Sequence, residues 1–190
     1  MNLGVIPANG TMQVKQSYRL DCNAGNEYQN DQMSFQIQIE GAQRIGQQTL
    51  TLENKVKVGT EWEVIADANK ATLTYNTEGA TFDYNVTGKV PQASTLYSLI
   101  YYADPWDGKG KTGNAGMLIG TTTSAADGAI AWSGSMDTGT MPNADDANAS
   151  IGAKLWLVPS ADYDVTNHVM TGWNPDNYLF ETGLVNYVKN

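Results

Sequence analysis

The stretch "MSFQIQIE" places Met33, Phe35, Ile37 and Ile39 on one side of an extended chain, and Ser34, Gln36, Gln38 and Glu40 on the other. Successive strand side chains point to opposite faces, so this period of two fits a half-buried β-strand and no helix. The pattern recurs more weakly in "TMQVKQSYRL", through Met12, Val14, Tyr18 and Leu20. Further strand candidates are "TLTLE", "EWEVIA", "ATLTY", "ATFDYNV", "TLYSLIYYA", "MLIGTTT", "AIAWSG", "AKLWLV" and "YLFETGLVNYV". Turn signals separate them: "EGAQRIG", "ADANK", "NTEGA", "GKVPQAS", "SAADG" and "NPDN". No window carries a capped apolar stripe of helical period, and "ADDANASIGAK" offers a single helical turn. About ten short strands punctuated by turns predict an antiparallel β-sandwich, immunoglobulin-like or jelly-roll-like, with long Gly/Asp/Asn-rich loops. Purely parallel sheets need crossover segments that this chain lacks. One domain over residues 1–190 is expected, because 41% hydrophobic residues suffice for a single core.

Two strands stand apart. "TLYSLIYYA" and "AKLWLVP" are nearly apolar on both faces, as expected of central strands covered on each side. Pro159 cannot donate to a ladder and marks the end of the second. Residues 104–116 and 134–150 read as the two long loops.

Charge narrows the partners. Only 16% of residues are charged, and 20 acidic against 11 basic side chains give a formal charge of −9. A polyanion would be repelled, so nucleic acid is not an expected partner. No apolar run approaches the roughly 18 residues that span a bilayer. "MNLGVIPANG" has neither the basic start nor the apolar length of a signal peptide, which leaves a cytosolic chain or one numbered after a removed signal. A surface built from Thr, Asn, Ser, Gln and Gly suits an extracellular β-protein. Cys22, the one cysteine, has no intramolecular partner and reads as a small buried hydrophobe. Asn9, Asn85 and Asn148 each begin a glycosylation sequon, with Asn148 in the most loop-like surroundings.

Catalytic chemistry is poorly represented. His168 is the one histidine, and "DVTNHVMTGW" contains no nucleophile elbow to complete a triad. Zinc sites need several His and Cys ligands, so no metal site of that kind is expected. Oxygen-rich calcium sites stay open at Asp104/Asp107, Asp145/Asp146 and Asp162/Asp164, and no other cofactor is indicated. Glu61 and Glu63 flank Trp62 in a pattern that would suit a glycosidase on a concave sheet. Trp62, Trp132 and Trp156, at alternating strand positions, read as core. Trp106 and Trp173, each beside Pro and Asp in loops, are the candidate stacking residues for a sugar.

Across residues 95–188, "LYSLIYYADPW", "GMLIGTTTSAADGAI", "GAKLWLVPSADYD" and "GWNPDNYLFETGLVNY" resemble surface-associated domains of unassigned function in secreted archaeal proteins, notably of methanogens. In the first half, "GNEYQ", "MSFQIQIEGAQ" and "LTLENK" are more faintly similar to TasA/camelysin-like matrix proteins and their archaeal pilus relatives. The first resemblance implies an extracellular, cell-surface location. The second implies a sandwich that polymerises by donating a strand, and neither implies catalytic residues. In that light Leu3, Val5 and Ile6 become assembly residues, on a segment 1–11 able to complete a neighbour's sheet. The leading expectation is thus a non-enzymatic subunit that self-assembles into an extracellular filament, pilus or sheath. A secreted adhesion or carbohydrate-binding module is the alternative.

Overall fold

A computed structural model describes residues 46–104 and 116–190, all within one compact unit, Gln43–Asn190. The strand candidates before residue 46, the assembly residues Leu3, Val5 and Ile6, and also Asn9, Cys22, Trp106 and Asp107 lie outside the described residues. In chain order the strands are β1 (Gln47–Glu53), β2 (Lys55–Val58), β3 (Glu61–Val64), β4 (Lys70–Asn76), β5 (Glu78–Gly79), β6 (Phe82–Lys89) and β7 (Leu96–Tyr102). They continue with β8 (Met117–Thr123), β9 (Ala129–Met136), β10 (Lys154–Pro159), β11 (Tyr163–Asp164), β12 (Val169–Met170), β13 (Phe180–Glu181) and β14 (Val188–Lys189). No helix among the described residues is long and apolar enough to cross a membrane.

The architecture is an all-β sandwich. One sheet has the order β13-β1-β4-β6-β9 and the other β10-β7-β8, with every pairing antiparallel. The alternating residues of the first sheet (Leu50 and Leu52, Leu73 and Tyr75, Phe82, Tyr84 and Val86) face Tyr97, Leu99, Tyr101, Leu155 and Leu157 of the second in one continuous core. Full burial of such a side chain contributes about 1.5–3 kcal/mol, so this layer carries most of the stability. The opposite face of the large sheet carries Thr49, Thr72, Asn85, Thr87 and Ser133 to solvent.

The smaller sheet is covered on its other side too. Ile100, Trp156 and Val158 point away from the main core and pack under Tyr163, Met170, Tyr178 and Phe180, which belong to the excursion following β10. That second layer explains the unbroken apolar run of β10: Leu155 and Leu157 face one core, Trp156 and Val158 the other. β7 is the central strand expected. β10, however, lies at the end of its ladder, and its outer edge is closed by Leu157, which exchanges two 2.9 Å backbone hydrogen bonds with Leu179. The next two residues, Phe180 and Glu181, pair with Glu53 and Leu52 of β1. The short segment Leu179–Glu181 therefore stitches the two sheets together. "YLFETGLVNYV", read as one strand, is instead this stitch plus isolated bridges and the short β14.

β2 and β3 form a hairpin arm turned by Gly59 and Thr60, with Gly59 at φ +64°, a conformation only glycine adopts freely. Its register places Lys55 opposite Val64 and Lys57 opposite Trp62. Trp62 is 39% exposed, so it is not the core residue its alternation suggests. Alternation places Trp62 and Val64 on one face; it does not say that the face meets a sheet. Trp132 is half-buried at the margin of the main core, and Trp156 is buried as expected.

Candidate functional site

Asn54, between the end of β1 and the start of β2, is buried and positions both walls of a cleft. Its side-chain N–H groups donate to the carbonyls of Tyr178 at 2.9 Å, Asp176 at 3.0 Å and Pro175 at 3.4 Å. Its own carbonyl accepts from Ile65 N at 2.9 Å, which closes the root of the β2–β3 arm. The amide thus ties the arm carrying Trp62 to the loop carrying Trp173. That loop is anchored again by Asp162. Its carboxylate accepts from Tyr178 Oη at 2.7 Å and from Asn174 Nδ2 at 3.0 and 3.2 Å, and its carbonyl accepts from Thr171 N at 2.8 Å. Gly172 is required there: a Cβ on it would stand 2.3 Å from Asp162 Oδ1.

The resulting cleft holds about 270 Å³ and is lined by Lys55, Trp62, Tyr102, Asp104, Lys154, Trp156, Trp173, Phe180 and Glu181. Its aromatic frame is continuous. Tyr102 stacks on Trp156 at 3.8 Å and 15°, and Phe180 meets Trp156 edge-on at 5.0 Å. Trp62 lies 5.5 Å from Phe180 and 6.0 Å from Trp173, the latter pair nearly perpendicular at 78°. Such edge-to-face and offset contacts between rings add about 0.5–1.5 kcal/mol each beyond the area they bury. Trp156 and Phe180 form the floor; Trp62 and Trp173, 39% and 45% exposed, form walls that still offer ring surface to solvent.

Two lysines and two carboxyls complete the lining, and most of their charge is satisfied locally. Lys154 Nζ is paired with Asp104, and Lys55 Nζ donates to the Glu181 carbonyl at 2.6 Å. Burial pushes the Glu181 carboxyl above the usual glutamate range. Its own backbone N–H, the charges of Lys55 and Lys154, and the neighbouring Trp156 indole pull it back in part. Burial, reinforced by the charges of Asp104 and Glu181, also pushes the Tyr102 phenol far up, so that it stays protonated. Trp156 Nε1 and Glu181 Oε2 are both shut off from solvent, and the indole N–H is the carboxyl's own side-chain hydrogen-bonding neighbour.

Of the expected sugar-stacking residues, Trp173 is in this cleft and Trp106 lies outside the described residues. Asp104 belongs to the cleft as the partner of Lys154 and of Asn148 Nδ2. That same Asn148 nitrogen is the atom a glycan would occupy. Asn85 lies exposed on the outer face of β6. The carboxylates proposed for calcium are engaged as loop organisers: Asp146 accepts from Tyr101 Oη and Asn148 N, and Asp164 from Thr166 N and Asn167 N. Among the described residues no group of three His, Cys, Asp or Glu side chains is arranged to hold a metal. His168 lies in the β11–β12 turn at φ +56°. Glu61 and Glu63 are exposed on the face of the arm opposite Trp62. Asn54, Lys55, Lys154 and Glu181 were not singled out by sequence; their only signal is a polar residue breaking an apolar strand pattern. No family model, curated protein or solved structure matches the chain.

Proposed function

We propose that the chain is a non-enzymatic carbohydrate-binding protein of the cell exterior, which engages one neutral sugar ring in the cleft lined by Trp62, Trp156 and Trp173. The observation that carries this reading is the frame of three tryptophans and a phenylalanine, of which Trp62 and Trp173 stay exposed to solvent, edged by polar groups. Sugar rings present apolar C–H faces to aromatic rings and hydroxyls to donors and acceptors at the edge. The lining holds two cations and two carboxyls, so no net charge selects an ionic ligand, and a neutral polyhydroxylated one fits best. A cleft of about 270 Å³ lies just below the range of about 300–1,000 Å³ typical of drug-sized ligands, which suits a single ring of a longer glycan.

A glycan array followed by tryptophan-fluorescence titration tests the proposal. Trp62→Ala and Trp173→Ala should each weaken binding about 3- to 10-fold, the value of one ring contact, with unchanged far-ultraviolet circular dichroism. Absence of any glycan bound at millimolar concentration, or full affinity in both variants, would sink it. Self-assembly remains a separate proposal, supported by the apolar pattern of Leu3, Val5 and Ile6. Filaments in negative-stain micrographs that vanish on deletion of Met1–Thr11 would support it, and their absence from the full-length chain would refute it.

A further inference from the structure

The register of the smaller sheet sets a polar pair at the end of the aromatic floor. Lys154 of β10 lies opposite Tyr102 of β7, Asp104 follows two residues after Tyr102, and all three line the cleft beside Trp156. Unlike the Trp156 indole, this pair reaches solvent: the Lys154 side chain is 29% exposed and that of Asp104 24%. Their ion pair uses only part of their bonding capacity. Asp104 Oδ2 accepts from both Lys154 Nζ and Asn148 Nδ2, whereas among the described residues no group donates to Oδ1. The ammonium has three N–H donors; one serves Asp104, and the nearby Tyr102 ring, 6.0 Å away, is an apolar neighbour that fills no donor site. A charged donor and a charged acceptor with spare capacity therefore stand side by side at the wet edge of a ring-stacking surface.

We infer that Asp104 and Lys154 together recognise a vicinal diol of the bound sugar, Lys154 Nζ–H donating to one hydroxyl oxygen and the adjacent hydroxyl donating to Asp104 Oδ1. The inference rests on the carbohydrate reading of the cleft and names the class of ring it selects. Donor and acceptor are held together by one ion pair, so the hydroxyls they serve must be neighbours on the ring. The opposite charges of the pair also exclude ionic ligands. An anionic substituent meets the carboxylate and a cationic one the ammonium, while an uncharged diol satisfies both. The stacking walls accept any ring with an apolar face; the pair decides which hydroxyl pattern is held, through hydrogen bonds strengthened by charge. Asn148 is a positioning residue here, because its Nδ2 occupies Oδ2 and leaves Oδ1 to face the ligand.

Methyl glycosides of glucose, galactose and mannose, with the monodeoxy derivative at each ring position of whichever binds tightest, supply the probes. Binding is read by calorimetry on the full chain. In the wild type, two adjacent deoxy positions should each lose about 10-fold in affinity, the value of one charge-assisted hydrogen bond, and the others about 2-fold or less. Lys154→Met keeps the alkyl stem and removes the donor. In that variant the penalty at one of the two positions should shrink to about 2-fold or less while the other persists. The corresponding uronide and 2-amino sugar should bind no more tightly than the neutral parent. A single costly position, costly positions that are not adjacent, deoxy penalties unchanged in Lys154→Met, or a charged analogue bound about 10-fold tighter would each overturn the inference while leaving carbohydrate binding intact. A wild type that binds none of the methyl glycosides, on the array or in solution, would overturn both. Affinity lost evenly across the deoxy series in Lys154→Met, with an altered near-ultraviolet circular dichroism spectrum, would show a merely structural role and overturn it too. The wild-type scan decides adjacency even where the variant fails to fold.

Discussion

Asn54 is where the fold and the cleft depend on the same side chain. Its two N–H groups serve three carbonyls of the segment that precedes β13, and the 2.9 Å bond to Tyr178 is fully buried. Asn54→Ala removes both donors. The buried hydrogen bond to Tyr178 contributes about 1 kcal/mol net and leaving its carbonyl unanswered adds about 1–3 kcal/mol, for about 2–4 kcal/mol, the part-buried bonds to Pro175 and Asp176 being largely replaced by water. A domain of this size shifts by about 2–4 °C per kcal/mol, so the melting temperature should fall by roughly 5–15 °C. Asn54→Asp makes the sharper comparison. The carboxylate keeps the shape but has no N–H, and it sets a charge against three carbonyl oxygens, so it should be less stable than the alanine variant. The check is equilibrium urea unfolding followed by far-ultraviolet circular dichroism. Tryptophan fluorescence reports in parallel on the walls, and in folded Asn54→Ala the emission should already be red-shifted, because Trp62 and Trp173 lose their common tether. An alanine variant within about 0.5 kcal/mol of wild type, the range of a surface substitution, would refute the reasoning. So would an aspartate variant as stable as asparagine.

Two further outcomes follow from the same region. Glu181→Gln should stabilise the protein at neutral pH. Burial raises the folded-state pKa of Glu181 above the ordinary 4.5, so its contribution is favourable at low pH and is lost as pH rises through the folded value. The advantage of glutamine should therefore shrink toward zero below about pH 4.5, and thermal melts from pH 4 to pH 8 would contradict this if the difference were independent of pH. Gly172→Ala should cost about 1–3 kcal/mol, since its Cβ would collide with Asp162, whose carboxylate holds Tyr178 and Asn174. Urea unfolding measures this, and Asp162→Ala combined with it should cost less than the sum of the two single losses, because both act on one contact.

The sandwich was legible because burial on one side of a sheet writes itself as a period of two. "MLIGTTT" is β8 residue for residue, and the doubly apolar "AKLWLVP" announced that something covers β10 on both faces. What covers the second face was not legible, since Tyr163, Met170, Tyr178 and Phe180 are scattered through turns that carry no period. The cleft was half visible. Trp173 stood out as a tryptophan in a polar loop, and it is indeed exposed. Trp62 reads as core and is exposed because alternation is blind to whether a hairpin lies on a sheet or leaves it. The same holds for "KVKV", a strand whose valines face solvent. Glu181 and Asn54 were invisible in principle. Their meaning comes from pairings made at the stitch between sheets, where Leu179 bonds one sheet and Glu181 the other, and no local pattern encodes which distant carbonyl or indole a polar side chain will meet. That seam is also where the exposed rings of Trp62 and Trp173 meet the buried Glu181 carboxyl.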